Sequence, residues 1–477
     1  MSYRQTKNSS PSSKKGFQLG LQPASAWTAI LGLILFLALG FLARVGRLLI
    51  LPFPIGSVAV GVFLYRRYPI LYVSFTWWMW FLGPLVRRII DYQSGYLTLG
   101  PWTLTPLLVT SISFATLVQH LPKSHKEGSL PLILCVGSVF YSFLIGLIQN
   151  EVSLTIIMEF LGWLAPILFS FHLFVNWRDY PSYCQNIQCT FLWGVLVMGV
   201  YGIWQYVVAP EWDRFWLIAG QNTSFGIPEP FGIRVSSSLN SPQDFAAIMM
   251  AGLLLLFANQ KIVRFPAAAA GYLSFLLSLA RSAWLSWSIG LLIFISSVNA
   301  RLQMRLIISI MVAAVFIVPL VNIEPFSTII HDRIQSLLNF KDDFSYQERV
   351  TGYNETISYA VFEFIGKGMR AKIETVNTFV IGDNGILLTL LTFGWFGTIP
   401  YLVGLVLLLF KLFQNPEVRL DPFTSVSRAI SLGILTQISL STPFIGGMGM
   451  IFWGFLGIAL AGKKYYFYQN TASLKSN

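Results

Sequence analysis

Three polar stretches interrupt an otherwise apolar chain, and each carries side chains that could bind an anion or move a proton. The first is Gly232-Ile-Arg-Val-Ser-Ser-Ser-Leu-Asn-Ser-Pro-Gln-Asp-Phe245. Its Ser241-Pro242 pair is a helix-start signal, and a helix N-terminus beside Arg234 suits an anion such as a phosphate. A plain capped loop is the alternative. The candidate binding side chains are Ser237, Asn240 and Gln243.

The second stretch is Leu279-Ala-Arg-Ser-Ala-Trp284, which places Arg281 between two apolar segments. Ionisable residues at membrane depth are costly, so each one is a functional hypothesis. We expect Arg281 to lie at or just within the outer membrane surface. The alternative is an arginine that reaches the interface without a function of its own.

The third stretch begins with Gly366-Lys-Gly-Met-Arg370 and continues to the Gly382-Asp-Asn-Gly385 segment. A flexible basic turn therefore precedes an Asp-Asn pair that opens a long apolar run. Asp383 could act as a base or orient a hydroxyl, and it could also cap the following helix. The further candidate binding residues are Lys367, Arg370, Asn377 and Asn384.

The elements that must position these residues are transmembrane helices. Only 11% of the 477 residues are charged, 55% are hydrophobic and the mean hydropathy is +0.64. A soluble domain carries roughly 25% charged residues, so a soluble enzyme or a nucleic-acid-binding protein is not expected. The continuous apolar runs predict an all-α polytopic membrane protein with about 12–14 transmembrane helices and one large extracytoplasmic loop domain.

Fourteen apolar runs are candidate spans. They lie at 27–43, 48–64, 68–86, 101–119, 130–149, 154–175, 187–208, 244–259, 265–280, 282–298, 304–321, 385–411, 427–443 and 445–461. The chain then divides into five regions. These are a disordered basic cytoplasmic tail (1–26), N-terminal spans (27–208), spans with arginine-bearing outer loops (209–321), an extracytoplasmic cap loop (322–384), and C-terminal spans with a short cytoplasmic tail (385–477).

The net charge of +12 is explained mainly by membrane orientation. Basic residues accumulate in the cytoplasmic loops of membrane proteins and set the direction in which the helices cross. With fourteen spans and both termini in the cytoplasm, cytoplasmic segments hold nineteen of the 32 lysines and arginines. Seven arginines remain in short outer loops, where they position the chain, contact lipid phosphates or bind an anionic substrate. They are Arg44, Arg47, Arg87, Arg88, Arg214, Arg234 and Arg281. The three cysteines have no metal-ligand spacing, and the sequence indicates no metal site and no cofactor.

In this order and on this background, the three stretches resemble the O-antigen ligase and O-antigen polymerase family of bacterial membranes, over about residues 190–410. The first matching segment is R-x-S-S-S-x-N-x-P-x-D/N-x-A at Arg234–Ala246, and the second is S-x-A-R-S-A-W at Ser278–Trp284. Gly366–Gly368 and the Asp-Asn-Gly segment at Asp383–Gly397 follow, after a large outer loop.

The resemblance implies a metal-independent glycosyl transfer on the outer face of the bacterial cytoplasmic (inner) membrane. The donor would be a glycan on a polyprenyl pyrophosphate, and the acceptor a hydroxyl on a lipid core or on another repeat unit. Arg234 and Arg281 match the family's functional arginines, which would bind phosphate oxygens and stabilise the leaving group. Membrane lipids and a polysaccharide-assembly complex are the further partners expected, and nucleic acid is not.

Ligases of this family usually carry a histidine where this chain has Asp383, so the resemblance favours a polymerase, or a family member of undefined acceptor, over a ligase. A carboxylate can also accept the proton of a hydroxyl.

Two other classes of protein remain as alternatives. One is a multi-span transporter of a small anion or a glycan precursor, although the repeats typical of transporters are not visible. The other is a non-catalytic partner in a polysaccharide export complex.

Overall fold

The computed structural model describes residues 23–149, 153–221, 223–301, 356–369, 384–414 and 421–476, with a few further helical positions between 303 and 311. Within these ranges the chain is helical and forms no strand, apart from one isolated bridge between Gly226 and Ile233. The all-α prediction is therefore confirmed.

The helices follow one another with short connections. In chain order they are α1 (Ala24–Leu42), α2 (Gly46–Arg67), α3 (Pro69–Ser94), α4 (Pro101–Lys123), α5 (Leu130–Gln149), α6 (Leu154–Val175), α7 (Tyr180–Val208), α8 (Glu211–Ala219), α9 (Pro242–Ala258), α10 (Arg264–Leu277), α11 (Arg281–Ser296), α12 (Gly385–Phe413), α13 (Pro422–Leu435) and α14 (Gly446–Ser476).

Nine helices in the described ranges are long and apolar enough to cross a membrane, which requires about 20 residues. They are α1 to α7, α12 and α14. The chain is thus a multi-pass helical membrane protein with about nine candidate spans, fewer than the fourteen expected.

The difference arises mainly in four shorter helices. The spans predicted at 244–259, 265–280, 282–298 and 427–443 correspond to α9, α10, α11 and α13, with 17, 14, 16 and 14 residues. α13 ends at Leu435 because the chain then turns, with Gln437 and Ile438 donating back to the last carbonyl groups of the helix. Apolar composition alone did not reveal this turn.

Two predicted regions fall largely beyond the described residues. Only isolated helical positions of the predicted span 304–321 are described, and only residues 356–369 and 384 of the predicted cap loop 322–384. The extracytoplasmic loop domain therefore stays a prediction.

Contacts between connections sort the helix termini into two ends of the bundle. At the end that we call the lysine end, Lys411 donates to Gly128 O and Lys464 donates to Glu127 O. At the opposite end, which we call the arginine end, Arg88 contacts Asp213 and Arg234 contacts Ser278. The predicted assignment of these ends to the two sides of the membrane stays a prediction.

The most deeply buried long helix is α14. In the most apolar stretch of α14, 83% of the residues are buried inside the protein. The corresponding share in the peripheral helix α1 is 17%. Gly457 of α14 lies against α6, where a β-carbon would be 2.6 Å from Ser170 O. Small residues allow such close backbone approach between membrane helices. The contact between α14 and α6 therefore depends on glycine at this position.

We expect Gly457→Leu to destabilise the fold by at least about 1–3 kcal/mol, the usual cost of overpacking a core. The measurement is thermal unfolding of the purified protein in detergent. Gly137→Leu on α5 is the matched control, because no atom lies within 4 Å of a β-carbon there. Equal melting temperatures for the two variants would contradict the close packing of α14 on α6.

Candidate functional site

The first polar stretch is held in place by a buried ion pair. Arg88 of α3 contacts Asp213 of α8 at 2.5 Å, and both side chains are 1% exposed. The guanidinium also donates to the carbonyl oxygens of Ser237 and Leu239. A buried charge persists only when it is paired and hydrogen-bonded. These contacts therefore fix the loop backbone against α3 and α8.

Gln205 of α7 completes this arrangement. Its Oε1 accepts from the backbone N–H groups of Ser236 and Ser237 at 3.1 and 2.7 Å, and its Nε2 donates to Asp213 at 2.9 Å. The hydroxyl of Tyr201 donates to the same carboxylate at 2.9 Å. Asp213 thus accepts from a guanidinium, an amide and a phenol, which satisfies its buried charge.

Ser237 is part of this scaffold. Its backbone has a φ of +51°, its side chain is fully buried, and its hydroxyl donates to Met198 O at 2.6 Å. The neighbouring Ser238 donates to Phe81 O at 2.5 Å. In this structure the Ser237 side chain is therefore enclosed and shapes the loop, and its predicted substrate contact stays a prediction.

Arg234 joins the first polar stretch to the second. Its guanidinium donates to the carbonyl oxygens of Ser278 and Leu279 at 3.3–3.4 Å, and to Ser224 O at 2.8 Å. Leu279 has a φ of +54°, which marks a tight turn before α11. The half-buried Arg234 thus holds the turn that leads directly into Arg281.

Arg281 is the first residue of α11 and is half-buried. A cation at a helix N-terminus is unfavourable by about 0.3–1 kcal/mol, because the helix dipole is positive there. A bound anion would be favoured by both the arginine and the helix terminus. The geometry at Arg281 is therefore suited to an anion.

Gln243 adds a second link between the polar stretches. Its Nε2 donates to Ser282 Oγ and to Gln437 Oε1, both at 2.7 Å. Gln437 belongs to the turn that follows α13. The predicted binding residue Gln243 of α9 thus contacts Ser282, which follows Arg281 in the first turn of α11, and it also contacts the C-terminal part of the protein.

The third polar stretch meets the same turn. Gly385 donates from its backbone N–H to Ile438 O at 2.8 Å and to Ser441 O at 3.0 Å. Asn384 is the N-cap of α12, since its Oδ1 accepts from two backbone N–H groups of the first helical turn. The capping role considered for Asp383 therefore belongs to Asn384. Residues 436–441 join the start of α12 to Gln243.

The basic glycine turn is inserted into a break in α12. Gly394 has a non-helical φ of +61° and lies against Gly366, where a β-carbon would be 2.6 Å from Gly394 N. The backbone N–H of Lys367 donates to Leu391 O at 2.8 Å. Its half-exposed side chain pairs with Glu363 at 3.1 Å. The Gly366–Gly368 turn is thus a packing element as well as a basic one.

Of the remaining predicted site residues, only Asn240 lies within the described part of the chain. Asn240 is half-buried, and its Oδ1 has no hydrogen-bond partner among the described residues. This acceptor lies next to the Ser241 cap of α9. Arg370, Asn377 and Asp383 fall outside the described residues, so their predicted roles stay predictions.

Asp244, which follows the Ser241-Pro242 helix start, has a role that sequence reasoning did not assign. Ser241 is the N-cap of α9, as predicted, and it exchanges hydrogen bonds with Asp244 at 3.0 Å. The carboxylate also accepts from the backbone N–H of Met448 at the start of α14. Gly447 permits this approach, because a β-carbon there would lie 3.0 Å from Oδ1. Asp244 therefore joins the N-termini of α9 and α14.

Sequence reasoning also missed the residues that hold the site. Arg88 was grouped with outer arginines of positioning or lipid-contacting role, and Asp213, Gln205 and Gln437 were not singled out. One signal was present in the sequence. Arg88 follows an apolar run, and Asp213 lies in a short amphipathic stretch expected on the same side of the membrane. Opposite charges at one membrane face are candidates for a buried pair.

Comparisons of the chain with protein-family models, with curated proteins and with solved structures find no match. Within the described ranges, no three His, Cys, Asp or Glu side chains lie close enough together to hold a metal ion. The function must therefore be argued from the arginine end itself.

We expect Asp213→Asn to destabilise the protein by about 3–5 kcal/mol, because it leaves the Arg88 guanidinium buried without a countercharge. The measurement is the apparent melting temperature in detergent, together with the yield of monodisperse protein. Glu211→Gln is the matched control on α8. Its carboxylate accepts from Tyr92 in an exposed position, so the control should lose little stability. A stable Asp213→Asn protein would contradict the anchoring role of the pair.

Proposed function

We propose that this protein is a membrane glycan transferase of the O-antigen polymerase or ligase type. It would move an oligo- or polysaccharide from a polyprenyl pyrophosphate to an acceptor hydroxyl at the arginine end of the bundle. The acceptor would be another repeat unit or a lipid core. The observation that carries the proposal is the contact of Arg234 with the turn that leads into Arg281.

The chemistry of the donor explains why two arginines would be needed. A pyrophosphate gains negative charge as its bond to the sugar breaks, and guanidinium groups bind phosphate oxygens in bidentate fashion. Arg281 would contact the pyrophosphate, with the N-terminus of α11 adding a positive potential. Arg234 would act mainly by holding the turn, because its donors already serve three carbonyl groups.

The transfer step can be written so that atoms and charges balance. The acceptor oxygen would form a bond to the anomeric carbon while the bond between that carbon and the phosphate oxygen breaks. The electron pair would leave with the pyrophosphate, where arginine stabilises it. Asp383 would accept the proton of the acceptor hydroxyl.

The transporter alternative gains support from one feature, the break in α12 at Gly394. Discontinuous helices are typical of substrate sites in transporters. Here the backbone groups at the break are already paired, because Trp395 and Phe396 donate to Glu363 O and Phe364 O. The break therefore does not offer its polar groups to a passing solute, and transfer chemistry is the better proposal.

We expect Arg281→Ala to lower glycan transfer by at least about 100-fold, the usual effect of removing one electrostatic donor. The assay uses purified protein in liposomes with a polyprenyl-pyrophosphate-linked glycan, and it measures release of the lipid pyrophosphate. Arg281→Lys keeps the charge without bidentate geometry, so its activity should be intermediate.

Arg214→Ala is the matched control, because Arg214 is exposed on α8 and donates only to Pro228 O among its described hydrogen bonds. It should retain activity. An Arg281→Ala protein that is as active as the control would overturn the role of Arg281. Transport of the intact lipid-linked glycan across the liposome membrane, without cleavage of its bond to the pyrophosphate, would favour the transporter instead.

Asp383→Asn tests the proposed base. Because Asn384 caps α12, this substitution should leave the helix start intact. General-base catalysis contributes about 100- to 10,000-fold, so we expect a rate loss in that range in the same liposome assay, with unchanged thermal stability. Full activity would remove Asp383 from the catalytic residues.

A further inference from the structure

A cavity of about 420 Å³ opens at the lysine end of the bundle, opposite to the arginine-bearing loops. Its walls come from the connection between α4 and α5, the connection between α6 and α7, and the C-terminal half of α14. Three basic side chains line it, together with two carboxylates. They are Lys126, Arg178, Lys464, Glu127 and Asp179.

Two of these basic side chains lie over the ring of Trp177. The Arg178 guanidinium carbon is 5.0 Å from the ring centroid, and the Lys464 Nζ atom is 5.5 Å from it. Lys464 also donates to the backbone carbonyl of Glu127 at 3.0 Å. Neither Lys464 nor Arg178 forms an ion pair with a carboxylate in the part of the chain that the structure describes. Glu127 lies close enough to attract Lys464, but among the described residues neither cation is held in an ion pair, so the N–H groups of both can still contact the oxygens of an anion.

The two carboxylates of the cavity, Glu127 and Asp179, differ in their surroundings. The two carboxylate oxygens of Glu127 lie within hydrogen-bond distance of His120 Nδ1, at 3.0 and 3.1 Å. Asp179 is exposed. Trp177, which lies under the two cations, also stacks on Tyr468, with ring centroids 4.7 Å apart. Tryptophan and tyrosine are enriched where a membrane meets water. The cavity thus combines cations with aromatic surface at a membrane boundary.

We propose that this cavity binds the phosphodiester headgroup of a membrane phospholipid. Lys464 and Arg178 would contact the phosphate oxygens, and the Trp177–Tyr468 pair would pack against the apolar part of the same molecule. Basic pockets between transmembrane helices at their cytoplasmic side bind lipid headgroups in this way. A soluble phosphate would supply the same anion, but it has no apolar part to contact the rings.

The experiment is native mass spectrometry of the full chain in detergent, titrated with phosphatidylglycerol and with phosphatidylethanolamine. We expect Lys464→Gln and Arg178→Gln each to weaken phospholipid binding by about fivefold. Arg178 is exposed, so its variant should fold normally even if the Lys464 variant does not. Lys261→Gln is the matched control, because Lys261 is an exposed cation at the lysine end that does not line the cavity.

Three outcomes would overturn the proposal. One is equal lipid binding by Arg178→Gln and by Lys261→Gln. Another is displacement of the lipid by excess inorganic phosphate, which would indicate a site for a free anion. The third is the absence of any bound phospholipid in the unaltered protein. Retained binding in the presence of phosphate, with selective loss in the cavity variants, would support it.

Discussion

The ion pair between Arg88 and Asp213 is the constraint on which the arginine end depends. In an apolar surrounding neither charge can remain without the other, because an isolated buried charge costs several kcal/mol. The pair satisfies this demand by drawing together α3, α8 and the backbone of Ser237 and Leu239. Gln205 then fixes the same backbone from α7. Arg234 extends from a loop whose path is already determined.

The rest of the site is assembled from helix N-termini. α9, α11, α12 and α14 all begin at the arginine end, and hydrogen bonds link their starts either directly or through the turn after α13. Asp244 reaches the start of α14, and Gln243 reaches α11 and the turn after α13. Helix N-termini carry partial positive charge, so this end of the bundle combines dipoles and arginines of the same sign. Such an arrangement is favourable for an anionic ligand and unfavourable for a cationic one.

Hydropathy predicted much of the fold, since the predicted spans 130–149 and 154–175 coincide with α5 and α6. It did not separate long helices from the short ones α9, α10, α11 and α13, because apolar composition does not show where a polar turn ends a helix. No local pattern predicted that Arg234 would contact the turn before Arg281. The Arg88–Asp213 pair joins residues 125 positions apart, and local patterns carry no information on such pairings.

The most direct test of the proposed function is the length of the lipid-linked glycans in cells that lack this gene. We expect the glycan pool on the polyprenyl carrier to change in these cells. Accumulation of single repeat units would identify a polymerase, since chain extension would then have stopped. Accumulation of full-length chains would identify a ligase, since only the final transfer would fail. An unchanged pool of lipid-linked glycans would contradict the transferase proposal in both forms.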